Sequence, residues 1–296
     1  MNLLKECNLC PRKCGVNRYQ KLGYCGAGAQ LKVAYYSLHM WEEPVISGDK
    51  GCGTIFFSHC NLKCMYCQNK KISIDGYGKK ISMKRLQEIM LELQEKKAHN
   101  INLVTPTHFV PQISKVLKKI KGNELKIPVV YNTSSYENIG CLMMMRGLVD
   151  IYLADLKYFD DDLAKKYSFC DNYFEVATMA IDEMYRQVGS CLMDENGLLK
   201  KGVIVRVLVL PGHKSDAKKI IDYLYKTYHD DIYISIMKQY TPVNHCPYEN
   251  LNQKLSEDDY EEVVNYALTI GIDHAFIQEG DPAEESFIPN FDSKIL

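Results

Sequence analysis

Cys60, Cys64 and Cys67 stand in one window, Cys60-Asn61-Leu62-Lys63-Cys64-Met65-Tyr66-Cys67, directly after the apolar run Gly53-Thr54-Ile55-Phe56-Phe57-Ser58. Iron–sulfur clusters are held by cysteine thiolates, four of them for a complete [4Fe–4S] cubane. Three ligands at this C-x3-C-x2-C spacing therefore leave one iron open to a substrate or cofactor. The competing reading is that these thiols pack as small hydrophobes or join a zinc site with ligands from elsewhere. The flanking Asn61, Lys63 and Gln68 do not look like a core. A second array, Cys7, Cys10, Cys14 and Cys25, is a closed set of four. Four thiolates saturate a tetrahedral zinc or a full [4Fe–4S] cluster, and spacing does not separate the two. With no open coordination position, this site is expected to be structural or electron-transferring, and separable from the first. It would staple a segment too short and polar to build its own core. The expected organisation is an N-terminal four-cysteine module over residues 1–50 and a second unit over residues 51–296.

Composition agrees with a metalloenzyme. The chain has 296 residues, 46% of them hydrophobic, and a formal net charge of −1 with no basic tract, so a sizeable core is expected and a nucleic-acid partner is not. Met1 to Cys7 contains no long apolar stretch, and no later run approaches the roughly 18 apolar residues of a membrane helix. The expectation is a cytoplasmic protein with no membrane contact. Twelve cysteines in such a chain argue for metal ligation rather than disulfides, because cytosolic thiols are kept reduced. Reducing, anaerobic conditions suit an open cluster.

The elements that must position these residues follow from periodicity. Short apolar runs at 53–58, 101–105, 127–132, 150–155, 203–210 and 232–237 alternate with amphipathic segments, the pattern of βα units and a parallel sheet. Ser82 is a candidate N-cap for a helix burying Met83, Leu86, Ile89, Met90 and Leu93. Ser256 with Asp259 caps another, with Tyr260, Val263, Val264, Ala267 and Leu268 inward. Six strands with intervening helices predict an α/β fold, an incomplete (β/α)6 barrel. Right-handed crossovers gather the C-terminal strand ends at one mouth, where such barrels carry their sites. The triad follows the first predicted strand, which puts it there.

The triad, with Tyr66 just before its last cysteine, resembles the signature of the radical S-adenosylmethionine (radical SAM) superfamily. The resemblance implies a [4Fe–4S] cluster whose open iron chelates the amino and carboxylate groups of S-adenosylmethionine. It also implies an electron from an external flavodoxin- or ferredoxin-type donor, and a 5′-deoxyadenosyl radical that abstracts hydrogen. Three strand ends, Tyr131-Asn132-Thr133-Ser134-Ser135-Tyr136, Leu153-Ala154-Asp155-Leu156-Lys157 and Arg206 through Pro211-Gly212-His213, resemble in order and separation the activating enzymes of glycyl-radical proteins. Their motifs there are D-T-N-G, D-x-K and R-x4-P-G. By that resemblance the substrate is a glycine of a partner protein, Lys157 and Arg206 serve the cofactor carboxylate through charge-assisted hydrogen bonds, and Asp155 or Ser134 accepts from its ribose hydroxyls. Ser134 and Ser135 depart from the asparagine and glycine of the first motif. Val104-Thr105-Pro106-Thr107-His108 stands where the superfamily shows G-G-E, leaving Thr107 or His108 as replacements, with His108 read as a structural histidine. This variant, with Cys-x2-Cys-Pro-Arg-x-Cys, is similar to a less characterised related branch. Two other functions stay open: a radical modifier of a small molecule or peptide, and a non-catalytic iron–sulfur electron carrier or redox sensor. Cys52, Cys141, Cys170 and Cys191 read as core, while Cys246, just past the sixth strand, is placed to face a substrate.

Overall fold

A computed structural model describes residues 3–278, Gly280 and Phe291. In chain order the elements are β1 (Lys32–His39), α1 (Pro44–Ser47), β2 (Cys52–Phe57), α2 (Lys70–Ser73), β3 (Lys79–Lys80), α3 (Met83–Glu95), β4 (Ile101–Val104), α4 (Val110–Ile120), β5 (Val129–Thr133), α5 (Ile139–Met144), β6 (Ile151–Asp155), α6 (Asp161–Ser168), α7 (Tyr173–Val188), β7 (Leu192–Met193), β8 (Leu199–Leu208), α8 (Lys214–Tyr228), β9 (Tyr233–Met237), α9 (Glu257–Thr269) and β10 (Ala275–Ile277). One sheet runs β10-β9-β8-β6-β5-β4-β2-β1-β3, with β7 paired to β8. From β2 through β10 the main path is parallel, while β1 lies antiparallel to β2 and β3. Among the described residues its two ends do not pair, so the barrel is partial. The six strands expected from sequence are β2, β4, β5, β6, β8 and β9, in that spatial order. β5 begins at Val129 rather than 127; Pro128 has no N–H to give a ladder. β8 starts earlier, at Leu199, because β7 folds back on it as a hairpin partner.

Strand side chains alternate between two environments, as a pleat requires. Ile55, Phe57, Ile101, Leu103, Val129, Tyr131, Tyr152, Ala154, Val203 and Val205 enter the large core beneath the helices. On the opposite, concave face the floor is apolar: Cys52, Val130, Ile151, Leu153 and Ile204 close around Ile46 of α1. Above it comes a polar layer of Thr54, Asn102, Asn132, Asp155, Arg206 and Ser235. Phe56 and Val104 follow toward the mouth, where the Phe291 ring packs edge-on to Phe56 at 5.6 Å.

Ser82 and Ser256 cap α3 and α9 as expected, accepting from the N–H groups of Arg85 at 3.0 Å and Asp259 at 3.2 Å. The inward faces are narrower than the periodicity implied. Met83 and Leu268, in the first turn of α3 and the last turn of α9, are exposed. Leu4, Leu9, Ala27 and Leu31 of the helix-free N-terminal segment are buried in the same core as the barrel helices. Among the described residues no helix is long and apolar enough to cross a membrane. All twelve cysteines are free thiols.

Candidate active site

β2 delivers the chain to the mouth at Phe57, and the next residues curl into the triad loop. The curl uses two non-glycine residues in the left-handed region, His59 (φ 78°) and Lys63 (φ 60°). Such conformations cost about 1–3 kcal/mol each and persist only where surroundings enforce them. Each thiol of the triad has its own donor. The Leu62 N–H points at Cys60 Sγ (3.4 Å), Ser168 Oγ at Cys64 Sγ (3.0 Å) and Ser73 Oγ at Cys67 Sγ (3.3 Å). Behind Ser168 the Tyr66, Tyr158 and Ser168 hydroxyls form a relay, with separations of 2.7 and 2.6 Å. Because Ser168 spends its proton on Cys64, the relay points Tyr66 to Tyr158 to Ser168 to sulfur, and each bond polarises the next. Tyr66 is therefore buried, its hydroxyl facing Tyr158. Burial, opposed by Lys157 and aided by Cys67 and Cys60, pushes the Cys64 thiol up to about 12. A thiolate in such a place requires a cationic partner, and a bound metal deprotonates its ligand outright.

Beneath the triad lies a row of charges. Lys157, within electrostatic reach of Cys64, donates to Asp155 at 2.8 Å. Arg206 spreads its fork over three acceptors: Asp155 (2.7 Å), Asn132 (3.0 Å) and Glu42 (3.3 Å). Burial opposes ionisation of Asp155, but Arg206 and Lys157 outweigh it and hold the carboxyl below the usual range. The balance differs for Glu42 and Glu43, where burial outweighs Arg206 and raises both. Ser134 sits half-buried beside this row, its carbonyl accepting from Tyr173 at 2.8 Å.

The second array is assembled by the N-terminal segment. A Cβ at Gly23 would lie 3.4 Å from Cys25 Sγ and 3.6 Å from Cys14 Sγ, so the missing side chain leaves room between two sulfurs. Cys7 and Cys25 both lie within electrostatic reach of Cys10, whose thiol burial pushes up to about 12. Among the described residues no group of three or more His, Cys, Asp or Glu closes on the scale of a single metal ion, in either array. The two arrays are tied together by Arg12, which lies between Cys10 and Cys14. Its fork donates to the carbonyls of Asn61 (3.0 Å), Leu62 (3.3 Å), Ser168 (3.1 Å) and Phe169. The Tyr24 ring is shared by Arg12 at 4.2 Å and Lys63 at 4.9 Å. A Cβ at Gly26 would come within 2.8 Å of His59 Nδ1, so the histidine before Cys60 lies directly on the glycine after Cys25.

At the ends of β4 and β5, Thr107 and Thr133 both donate to Glu137 Oε1 at 2.6 Å. Burial lifts this carboxyl to about 7. His108 is structural, as read: Nε2 donates to the Ser58 carbonyl at 2.8 Å, and burial with Arg18 nearby lowers the ring to about 3. Cys246 is buried with its thiol on the Met65 carbonyl, 3.8 Å away, so it braces the triad loop from behind. Arg12, Ser168, Glu42, Glu43 and Glu137 were not singled out from sequence. Only Arg12 carried a signal there, standing inside a cysteine array. A cleft of about 550 Å³ between Arg12–Lys13 and α7 opens outside the concave face.

The radical SAM superfamily profile matches residues 54–224. The uncharacterized protein MJ0674 of Methanocaldococcus jannaschii is 30% identical over 288 residues, covering 92% of this chain and 77% of its own. Among solved structures, Streptococcus suis SuiB bound to its precursor peptide SuiA superposes with a TM-score of 0.52 at 14% identity, over 75% of this chain and 46% of that one. SuiB bound to S-adenosylmethionine gives 0.51 at 14%, over 75% and 48%. The chain thus spans about half the length of these SuiB chains, and at such identity the likeness is one of fold. A profile that covers β2 through most of α8, with the three thiols at the end of β2, settles the family: the chain belongs to the radical SAM superfamily, whose members use a [4Fe–4S] cluster and S-adenosylmethionine.

Proposed function

We propose that Cys60, Cys64 and Cys67 hold a [4Fe–4S] cluster, and that the chain cleaves S-adenosylmethionine reductively to take hydrogen from a substrate on the concave face. The observation that carries this reading is the triad itself. Three neighbouring thiols, each with one donor, stand within electrostatic reach of Lys157, and burial raises Cys64 and Cys67. When bound, the reduced cluster supplies one electron to S-adenosylmethionine, which yields methionine and a 5′-deoxyadenosyl radical.

The protein's own part is positioning. Lys157, anchored by Asp155 on one side, keeps further N–H donors for a carboxylate, since an ammonium has three. Arg206 acts by fixing Asp155, and through it Lys157. Ser134 and Asp155 supply acceptors for ribose hydroxyls. The hydroxyl relay from Tyr66 gives the Cys64 sulfur one polarised donor through Ser168.

The substrate reading follows the resemblance carried by Asp155-x-Lys157 and Arg206 with Pro211-Gly212: a glycine of a partner protein, as in the activating enzymes of glycyl-radical proteins. A second reading, modification of a small molecule or peptide, is favoured by the narrowness of the concave face, which closes on Ile46 one layer below Arg206. SuiB, of similar fold, is solved with a precursor peptide. For the second array we favour a [4Fe–4S] cluster over zinc. Thiolates on different irons of a cubane stand farther apart than the ligands of one tetrahedral ion, in keeping with the open spacing of both arrays. An acidic one-electron carrier of flavodoxin or ferredoxin type suits the surface there, because Lys5, Arg12, Lys13, Lys21 and Lys32 stand against Glu6, the one acidic residue in the first 40.

Anaerobic reconstitution, reduction and addition of S-adenosylmethionine should release 5′-deoxyadenosine, and Cys64→Ala should release none. Full release from that variant would overturn the assignment.

A further inference from the structure

The polar layer of the concave face is not balanced within itself. It brings together three carboxylates, Glu42, Glu43 and Asp155, and two cations, Arg206 and Lys157. Asp155 absorbs most of both cations, accepting from Lys157 at 2.8 Å and from Arg206 at 2.7 Å. Glu42 receives one Arg206 nitrogen at 3.3 Å and the Asn102 amide at 2.9 Å. Glu43 is met by Arg206 only across space, and its hydrogen bonds come from neutral donors, its own backbone N–H and the Ser235 hydroxyl. Glu43 is 8% exposed, and its Oε2 is buried with no partner among the described residues. The Asn102 side chain is fully buried, and its Oδ1 is likewise unpartnered. The orphaned atoms are thus carboxyl and amide oxygens, in a layer with three carboxyl groups and two cations, where burial opposes ionisation of Glu42 and Glu43. A buried acceptor left unmade costs about 1–3 kcal/mol, more when charged. What such a layer lacks is a cation with several N–H donors.

The layer is reachable. Asp155 and Lys157 side chains are each 17% exposed and Arg206 15%, whereas Ile46 and its apolar neighbours form a fully buried floor. Glu42 and Glu43 enter from the side of that floor on the short connection between β1 and β2, with Pro44 beginning α1 immediately after. They therefore sit at the end of the concave face, below any group held between Lys157 and the triad.

We propose that Glu43, with Glu42 and Asn102, binds a cationic group of the substrate, an ammonium or guanidinium at the end of a short chain. The proposal rests on the reading that substrate enters the barrel beneath the triad. It adds the chemical class of the group that enters first. A guanidinium or ammonium supplies the missing donors, offsets the burial that opposes ionisation of Glu43, and sets how deep the substrate sits relative to the triad. A neutral or anionic end group would leave Glu43 unpaired and gain nothing.

The test uses the reconstituted full chain under anaerobic conditions, with 1,4-diaminobutane and n-butylguanidinium as probes and 1-pentanol as the neutral control. Trp41, the single tryptophan and the neighbour of Glu42, reports binding by fluorescence, and calorimetry checks it. The expected result is saturable binding of at least one cation and none of the alcohol. Glu43→Gln should weaken binding about ten- to a hundredfold, the worth of one charge-assisted hydrogen bond, and Glu43→Asp should recover most of it. Absence of saturable cation binding by the wild type, or equal affinity in Glu43→Gln, would overturn the proposal. Release of 5′-deoxyadenosine by the wild type without any cation tests the cofactor reading separately. If release is seen and cation binding is not, only the present proposal falls.

Discussion

Arg12→Ala is the perturbation that most directly tests how the two cysteine arrays are related. The guanidinium lies two residues from both Cys10 and Cys14, yet it bonds carbonyls at Asn61 and Leu62 in the triad loop and at Ser168 and Phe169 behind it. Each hydrogen bond contributes a net of about 1 kcal/mol, and the stacking over Tyr24 about 0.5–1 kcal/mol more. Because the site is only half-buried, about 3–5 kcal/mol is the reasonable sum for losing the whole fork. That is a large share of a stability of about 5–15 kcal/mol. The loss is local, falling on the joint between residues 7–25 and residues 60–67. Hydrogen exchange on the anaerobic, reconstituted protein resolves it. Arg12→Ala should accelerate exchange in both segments, lower the melting temperature and broaden the spectrum of the triad cluster. Arg12→Lys should fall between, since an ammonium is a point charge that does not reproduce a planar fork. If residues 60–67 kept wild-type protection while residues 7–25 lost theirs, the arrays would be independent, as expected from sequence, and the bridging role of Arg12 would be refuted.

Two further outcomes follow from named groups. Burial lifts Glu137 to about 7 from the ordinary 4.5 of a glutamate, so between those values the folded chain holds a proton that the unfolded chain releases. Stability therefore falls as pH rises through this window, by about 3 kcal/mol in all at 1.36 kcal/mol per unit. Glu137→Gln should remove that slope, leaving the variant more stable than wild type at pH 8 and equal to it near pH 4 in urea titrations; an unchanged slope would contradict the assignment. Lys157 and Arg206 should separate: Lys157→Ala weakens S-adenosylmethionine binding about ten- to a hundredfold with the cluster intact. Arg206→Ala instead destabilises the fold by about 3–5 kcal/mol, because Asp155 and Glu42 are left buried without their cation. Loss of cofactor affinity in a well-folded Arg206→Ala protein, with Lys157→Ala normal, would reverse these roles.

What the sequence disclosed and what it hid divide along a physical line. The triad, the six parallel strands and the caps at Ser82 and Ser256 were legible because each is encoded locally, by cysteine spacing, apolar runs or a residue before a periodic stretch. β1 was not singled out, although Val33, Ala34 and Tyr36 are buried, because it is an antiparallel neighbour added to a parallel pattern inside a segment dominated by cysteines. β10 is three residues long, too short for periodicity to declare itself. Arg206 and Asp155 were found by their places at strand ends, but their pairing was not. The contact joins β6 to β8, across the whole of α6, α7 and β7.

Glu42 and Glu43 are the instructive case. Adjacent carboxylates before a proline, in a connection between strands, have the composition of a solvated turn, since unpaired acidic side chains are almost never fully buried. Their burial follows from a tertiary arrangement: α1 turns its Ile46 into the barrel floor, and the two residues just ahead of it are carried inward to Arg206. A fold does not spend an ion-pair partner on one carboxylate and leave the next without a charged donor at no cost, because burying such a group is expensive. If the layer were only a structural network, Glu43→Gln would relieve that cost and lose nothing. If it is a binding floor, the same substitution stabilises the free protein and weakens its hold on a cation. Stability and binding then move in opposite directions, and measuring both on one variant decides whether the surplus carboxyl group at the base of the barrel is an accident of packing or the feature that selects what enters it.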